Sequence, residues 1–185
     1  MPVTLDASAP DFEAAFTTLL GAKREDSPDV DAVVAEIIAD VRTRGDAAII
    51  DLTAKFDRIT LTSDTLRITA EEIAQAMDEV SDEDKAALEL AAARIRAYHA
   101  LQLPEDAQWE DEAGATLGWR WTPVSAAGLY VPGGLASYPS SVLMNAIPAK
   151  VAGVPRLAMV VPAPDGILNP LVLLAAHISG VDEVY

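Results

Sequence analysis

The alternation of short apolar runs with helix-forming segments after residue 126 is the feature that most limits how this chain can fold. Three runs, at 127–131, 157–161 and 181–185, have the apolar character of buried strands. Helix-forming segments at 140–151 and 169–178 separate them. Because parallel neighbours need a crossover connection, usually a helix, this order predicts a doubly wound parallel βαβαβ unit. The pattern therefore favours an α/β fold.

The last of these runs, 181–185, has no following helix that could cover its face. A parallel sheet is normally covered on both faces, because its strands are apolar on both sides. We therefore expect this chain to be the front part of a longer domain, truncated after the third strand.

Charged residues are unevenly distributed along the chain. Residues 1–118 hold 26 acidic and 10 basic residues, whereas residues 119–185 hold three of each. The second part also contains 8 of the 12 prolines and 6 of the 10 glycines. Solvated helices need a charged face, whereas strands buried between helices do not. We predict a domain boundary here, with an acidic helical region and a partial α/β domain in residues 1–118.

Helix signals occur throughout the acidic region. Its helix starts are N-cap side chains followed by proline or an acidic residue: Ser27-Pro28, Thr69 with Glu72, and Ser81 with Asp84. Gly45 ends the first helix, and Ile49 and Phe56 lie on one face of a helix that follows it. Three tryptophans surround a turn at Gly114, which predicts a hairpin in residues 108–122 that packs against helices.

The composition excludes several classes of protein. A formal net charge of −16 argues against a basic surface for the phosphate backbone of nucleic acid. The absence of cysteine excludes disulfides, a cysteine-based zinc site and a cysteine nucleophile. No run approaches the roughly 18 apolar residues of a membrane span, and the N-terminus lacks a signal-peptide pattern. We expect a soluble cytoplasmic protein that binds neither nucleic acid nor membrane.

The candidate site follows the first apolar strand. Gly133 and Gly134 allow the backbone to approach a ligand, Tyr130 ends the strand, and Pro132 breaks it. Ligands of open α/β sheets bind beyond the carboxyl ends of the strands, where these residues lie. A tight turn followed by a helix with a capping serine explains the same residues equally well. Pro-Gly-Gly is not the G-x-G-x-x-G fingerprint of dinucleotide-binding sites. Both interpretations stay open on spacing alone.

The residues offer no local catalytic or metal motif. His99 and His177 each lie late in a predicted helix, where a histidine interacts with the helix dipole. Neither has a second ligand at zinc-site spacing, and no Ser-His-Asp order occurs. We assign no catalytic residue and no metal ligand to this chain.

Residues 128–154, GLYVPGGLASYPSSVLMNAIPAKVAGV, closely resemble the signature segment of the histidinol dehydrogenases. A looser similarity continues from Arg156 to the last residue, and the triplet Lys55-Phe56-Asp57 resembles the family's N-terminal region. The resemblance implies an enzyme that oxidises L-histidinol to L-histidine in two NAD-dependent steps, in histidine biosynthesis. It also implies a zinc-containing homodimer with incomplete Rossmann-like domains, and makes residues 119–185 the truncated start of a Rossmann-like nucleotide-binding domain.

The resemblance also implies roles for residues of the candidate site. The matching tyrosine of the family contacts NAD, a role that falls on Tyr130, and Pro132, Gly133 and Gly134 would line the same pocket. Family members are more than twice as long, and their zinc ligands and proton-transfer residues lie beyond the end of this chain. We therefore expect the N-terminal part of such an enzyme, inactive alone. The alternatives are a short non-catalytic nucleotide-binding protein and an oligomerisation module.

Overall fold

The computed structural model describes residues 4–22, 28–132 and 138–185 and has a mixed α/β fold. Its internal contacts divide the chain into two compact units, Met1–Ile49 and Ile50–Tyr185. The predicted boundary between residues 118 and 119 falls inside the second unit and stays a prediction. The candidate site lies in the second unit.

The first unit consists of helices. They are α1 (Phe12–Ala22), α2 (Pro28–Arg44) and the first turn of α3 (Asp46–Phe56). Helix α2 ends at Gly45, whose φ of +58° is a left-handed conformation that glycine adopts without strain, as its position as a stop signal predicted. Ser27, the predicted cap of this helix, lies outside the described residues. Helix α1 was not predicted from the sequence.

Capped helices begin the second unit after α3. Helix α4 (Ala70–Asp78) has the predicted capping box: the Glu72 amide donates to the Thr69 hydroxyl at 3.2 Å, and the Thr69 amide donates to the Glu72 carboxylate at 2.7 Å. Helix α5 (Asp82–Ala100) begins after Ser81, whose hydroxyl accepts the Asp84 amide at 3.1 Å. Both predicted helix starts are confirmed.

The predicted hairpin is confirmed, but its packing differs from the prediction. Strands β1 (Ala107–Glu110) and β2 (Thr116–Trp119) pair antiparallel around the turn at Gly114. The rings of Trp109 and Trp119 pack edge-to-face with centroids 5.2 Å apart. All three tryptophans are nonetheless exposed rather than packed under helices, with Trp121 60% accessible. Trp109 and Trp119 pack across the ribbon because diagonal positions on one face of a hairpin are close enough for large rings.

The sheet of the second unit has the predicted parallel βαβαβ order. Strands β3 (Ala126–Tyr130), β4 (Arg156–Val160) and β5 (Glu183–Val184) are parallel and adjacent in chain order. Helices α6 (Pro139–Val151) and α7 (Pro170–Ser179) connect them and pack against each other, so both lie on one face of the sheet. The doubly wound arrangement, with helices on both faces, stays a prediction.

The core lies between the sheet and these two helices. Leu157 and Met159 alternate with exposed or half-buried residues along β4 and are fully buried against the helices. Leu143 and Ile147 of α6 are also fully buried. Helix α7 is apolar around most of its circumference, because α4, α5 and α6 all pack against it.

Polar contacts hold the amino ends of the strands together. The Asp182 carboxylate accepts hydrogen bonds from Lys150 Nζ at 2.8 Å and from the Leu157 amide at 2.7 Å, which joins α6 and β4 to the approach to β5. At the start of β4, the Arg156 guanidinium forms two 2.9 Å bonds with the Glu183 carboxylate. These bonds favour the charged carboxylate and lower the pKa of Glu183 to about 2.

Helix α6 allows a matched test of this core. Replacing Ile147 by Ala is expected to lower the free energy of unfolding by about 2–5 kcal/mol, because it leaves a cavity under the sheet. Met144, 65% exposed on the same helix, is the control, and Met144→Ala is expected to change it by less than about 0.5 kcal/mol. Urea unfolding followed by circular dichroism measures both. Equal losses would contradict the assigned burial.

The Arg156–Glu183 pair predicts a dependence of stability on pH. Because the pKa of Glu183 is lower in the folded chain than when unfolded, the pair's contribution is present above pH 4.5 and is lost as pH falls toward 2. Glu183→Gln should therefore lower stability at pH 7 and flatten its decline between pH 5 and 2. Arg156→Gln should produce the same flattening, and thermal melts across this range would measure it. An unchanged acid slope in both variants would contradict the assignment.

Candidate functional site

The carboxyl ends of the three parallel strands bring exposed side chains together along one edge of the sheet. Tyr130 is opposite Val160 in the register, and Met159 is opposite Val184, which places Tyr185 beside Val160. Residues in register point to the same face, so Tyr130, Val160 and Tyr185 form one row. They are 63%, 47% and 40% exposed. An aromatic side chain therefore stands at each end of an open apolar row.

This row borders a sheet face that no described element covers. Two residues before Tyr130 and Val160, Gly128 and Ala158 lie side by side on the same face of the sheet. A Cβ built on Gly128 would meet nothing within 4 Å, so open space lies above the strand. The opposite face carries Leu129, Leu157 and the helices. The described residues therefore leave a shallow, small-residue floor that leads to Tyr130.

The loop after β3 begins at this same edge. Val131 is fully buried and its amide donates to the Val160 carbonyl at 3.0 Å, so the strand keeps its register to the end. Pro132 follows and is exposed. Tyr130 and Pro132 thus lie at the same strand end, whereas Gly133 and Gly134 lie outside the described residues, and the assignment of these four residues to a cofactor site stays a prediction.

A second loop follows β4 at these strand ends, and its Asp165 forms an ion pair that was not singled out from the sequence. The Arg58 guanidinium forms a two-pronged ion pair with the Asp165 carboxylate, with Nε–Oδ1 at 2.6 Å and Nη2–Oδ2 at 2.8 Å. The Asp165 amide donates to the Asp57 carbonyl at 2.8 Å. Hydrogen bonds from Arg58 lower the pKa of Asp165 below its ordinary value. The sequence shows the turn residues Asp165-Gly166, but it does not show that Arg58, 107 residues earlier, pairs with Asp165.

The histidines occupy the helix ends predicted for them. His99 lies in the last turn of α5, where its Nδ1 is 2.6 Å from the Gln102 side-chain oxygen. His177 lies in the last turn of α7. Within residues 4–22, 28–132 and 138–185, no three His, Asp or Glu side chains are close enough to hold a metal ion. The described part of the chain therefore does not fit a zinc centre.

A cavity of about 530 Å³ lies elsewhere, between α4, α7 and the start of β5. Arg67, Thr69 and His177 are among its lining residues, whereas Tyr130 and Pro132 are not. The Ile68 amide donates to the Val184 carbonyl at 2.9 Å beside it, which pairs the segment before α4 with the edge of β5. The cavity is thus separate from the strand-end site.

None of the helices in the described ranges has the length and apolar character needed to cross a bilayer.

Comparison with known proteins relates these features to one family. The family model described as histidinol dehydrogenase matches residues 21–185. The histidinol dehydrogenases of Ruegeria pomeroyi and Cereibacter sphaeroides are 76% and 69% identical over all 185 residues. The chain spans 43% of the length of each of these relatives. The crystal structure of histidinol dehydrogenase from Elizabethkingia anophelis superimposes with a TM-score of 0.81 at 33% identity, and covers 87% of this chain and 37% of its own.

Proposed function

Since this chain belongs to the histidinol dehydrogenase family, we propose that it is the N-terminal part of an enzyme that oxidises L-histidinol to L-histidine with two molecules of NAD, in histidine biosynthesis. The observation that carries this proposal is the place of the signature segment in the fold. Residues 128–154 run from β3 through the loop to α6, and Tyr130 stands exposed where β3 ends. This is where open α/β sheets bind nucleotides.

The proposed NAD site consists of Tyr130, Pro132, Gly133 and Gly134. Tyr130 offers an exposed ring for stacking and a hydroxyl for hydrogen bonding, and Pro132 lies exposed just after the strand end. Glycines at positions 133 and 134 permit a close approach of backbone amides to the cofactor. The parallel β3-β4-β5 order supports a Rossmann-like domain, in which the exposed edge of β3 is the side where further strands would join.

The chemistry divides between this chain and the rest of the proposed enzyme. NAD, when bound, supplies the acceptor for the hydride removed from histidinol. The residues of this chain orient the cofactor at the strand ends. We propose that the zinc ion of this enzyme is held by residues outside this chain, as the family resemblance implies. The proposal also includes a homodimer in the cytoplasm.

The chain by itself is proposed to be inactive. It spans 43% of the length of its relatives and leaves a parallel sheet open on one face. The exposed tryptophans of the β1–β2 hairpin favour, as a second candidate, a non-catalytic oligomerisation module. A short nucleotide-binding module is the other alternative, and NAD titration separates the two.

Tyr130 provides a direct test in the full-length enzyme. Tyr130→Ala should raise the KM for NAD by about five- to tenfold, the size of one lost aromatic stacking contact, with a smaller effect on the KM for histidinol. Tyr98, 62% exposed on α5, is the matched control, and Tyr98→Ala should leave both constants within about twofold. Steady-state kinetics measure both variants. Equal rises in the two KM values would show that Tyr130 is structural.

The division of labour is tested by comparing the 185-residue chain with the full-length enzyme. The full-length protein should form NADH from histidinol and contain zinc, whereas the short chain should do neither. Absorbance at the NADH band and metal analysis of both purified proteins provide the readouts. Turnover by the short chain would overturn the proposed division, and an inactive full-length protein would overturn the proposed reaction.

A further inference from the structure

The Arg58–Asp165 pair joins two loops that are far apart in the chain. Arg58 lies just after α3, and Asp165 lies in the connection from β4 to α7. Besides the two-pronged ion pair, the Asp165 amide donates to the Asp57 carbonyl, and the Arg58 Nη1 is 3.4 Å from the Phe56 carbonyl. A main-chain bond and a forked ion pair fix direction as well as distance, because together they leave little freedom to rotate.

Both residues of the pair hold an unfavourable backbone conformation. Arg58 has φ +61° and Asp165 has φ +59°, and they are the only non-glycine residues with positive φ in the described ranges. Residues with a Cβ rarely adopt this conformation, and it persists where the surroundings impose it. The next residue, Gly166, also has positive φ and lies against Ile59. The strain is therefore concentrated where the two loops meet.

Stability does not account for this arrangement. The two side chains are 59% and 58% exposed, and exposed ion pairs contribute little to folding because water and salt screen them. Strained conformations that persist without a stability benefit are concentrated at binding sites, where a loop must keep one shape. The observation thus points to a requirement on the shape of the β4–α7 connection.

This connection lies beside the proposed NAD site. Residues 161–165 follow the carboxyl end of β4, which is adjacent to the end of β3 that carries Tyr130. The crevice at the carboxyl ends of parallel strands is lined by these loops. Pro162 and Pro164, which both precede Asp165, restrict the backbone of this connection further.

We infer that Arg58 and Asp165 are positioning residues that hold the β4–α7 connection in the shape that NAD binding at the strand ends requires. Neither is assigned a contact with the reacting atoms. This inference rests on the proposed function, because it names a further determinant of the same cofactor site. The pair acts on the binding of NAD and leaves the chemical step unchanged.

Asp165→Asn in the full-length enzyme is the sharpest variant. Asparagine keeps the shape of the side chain and tolerates positive φ, so the substitution removes the charge without adding strain. The KM for NAD should rise about three- to fivefold, the range an exposed ion pair can supply, with kcat and the KM for histidinol within about twofold. Asp40→Asn is the matched control, because it makes the same substitution in the forked Arg44–Asp40 ion pair of α2, which is not part of the proposed site, and should leave the KM for NAD unchanged.

If Arg58 and Asp165 act together through their ion pair, substitutions of either residue should have the same effect. Arg58→Gln should reproduce the effect of Asp165→Asn, and the double variant should be no worse than either single variant, because one interaction is lost in all three. Hydrogen exchange of the amides of residues 163 and 165–168 should accelerate in these variants and stay unchanged in Asp40→Asn. Additive losses in the double variant, or unaltered exchange, would overturn the inference.

The failures of the two proposals can be told apart. Active wild-type enzyme together with an unchanged KM for NAD in Asp165→Asn overturns the positioning role alone. Wild-type enzyme that forms no NADH from histidinol overturns the proposed function and the inference that rests on it.

Discussion

The one-sided cover of the parallel sheet is the constraint on which the rest of the second unit depends. Crossovers between parallel strands are right-handed, so strands that follow one another in chain order place both connecting helices on the same face. Helices α6 and α7 therefore pack against each other and bury Leu157 and Met159 beneath them. Helices α4 and α5 complete the enclosure of α7. The core forms on one side, and the described residues leave the other side of the sheet open.

A forked ion pair between an arginine and a carboxylate lies at each end of the strands of this sheet. At the amino edge, Arg156 and Glu183 pair between neighbouring strands, where the backbone is already in register. At the carboxyl edge, Arg58 and Asp165 pair between loops that no ladder holds, and both residues have positive φ. The same forked ion pair thus supports regular structure at one edge and determines loop shape at the other. Only the second edge carries the exposed Tyr130 and the proposed cofactor site.

The local features of the fold could be predicted because they depend on near neighbours in the chain. The capping box of Thr69 and Glu72, the stop at Gly45 and the turn at Gly114 each involve a few consecutive residues. Helix α1 was missed although its segment carries local signals, with Asp11 directly before its first residue and Phe12 and Phe16 four residues apart. The tryptophans were predicted to pack against helices because large aromatic rings are usually buried, but burial depends on what the fold brings nearby.

The features of the candidate site likewise fall into two groups, those that could be predicted from the sequence and those that depend on tertiary structure. The sequence alone determined that a strand ends at Tyr130, that Pro132 breaks it and that a helix follows, because turn residues and apolar runs act locally. It also carried the resemblance that the comparisons confirmed. Only the tertiary structure decided that Tyr130, Val160 and Tyr185 share one open row, and that Arg58 meets Asp165 across 107 residues. Such contacts depend on strand register and loop closure, which are properties of the packed chain and leave no periodic trace in the sequence.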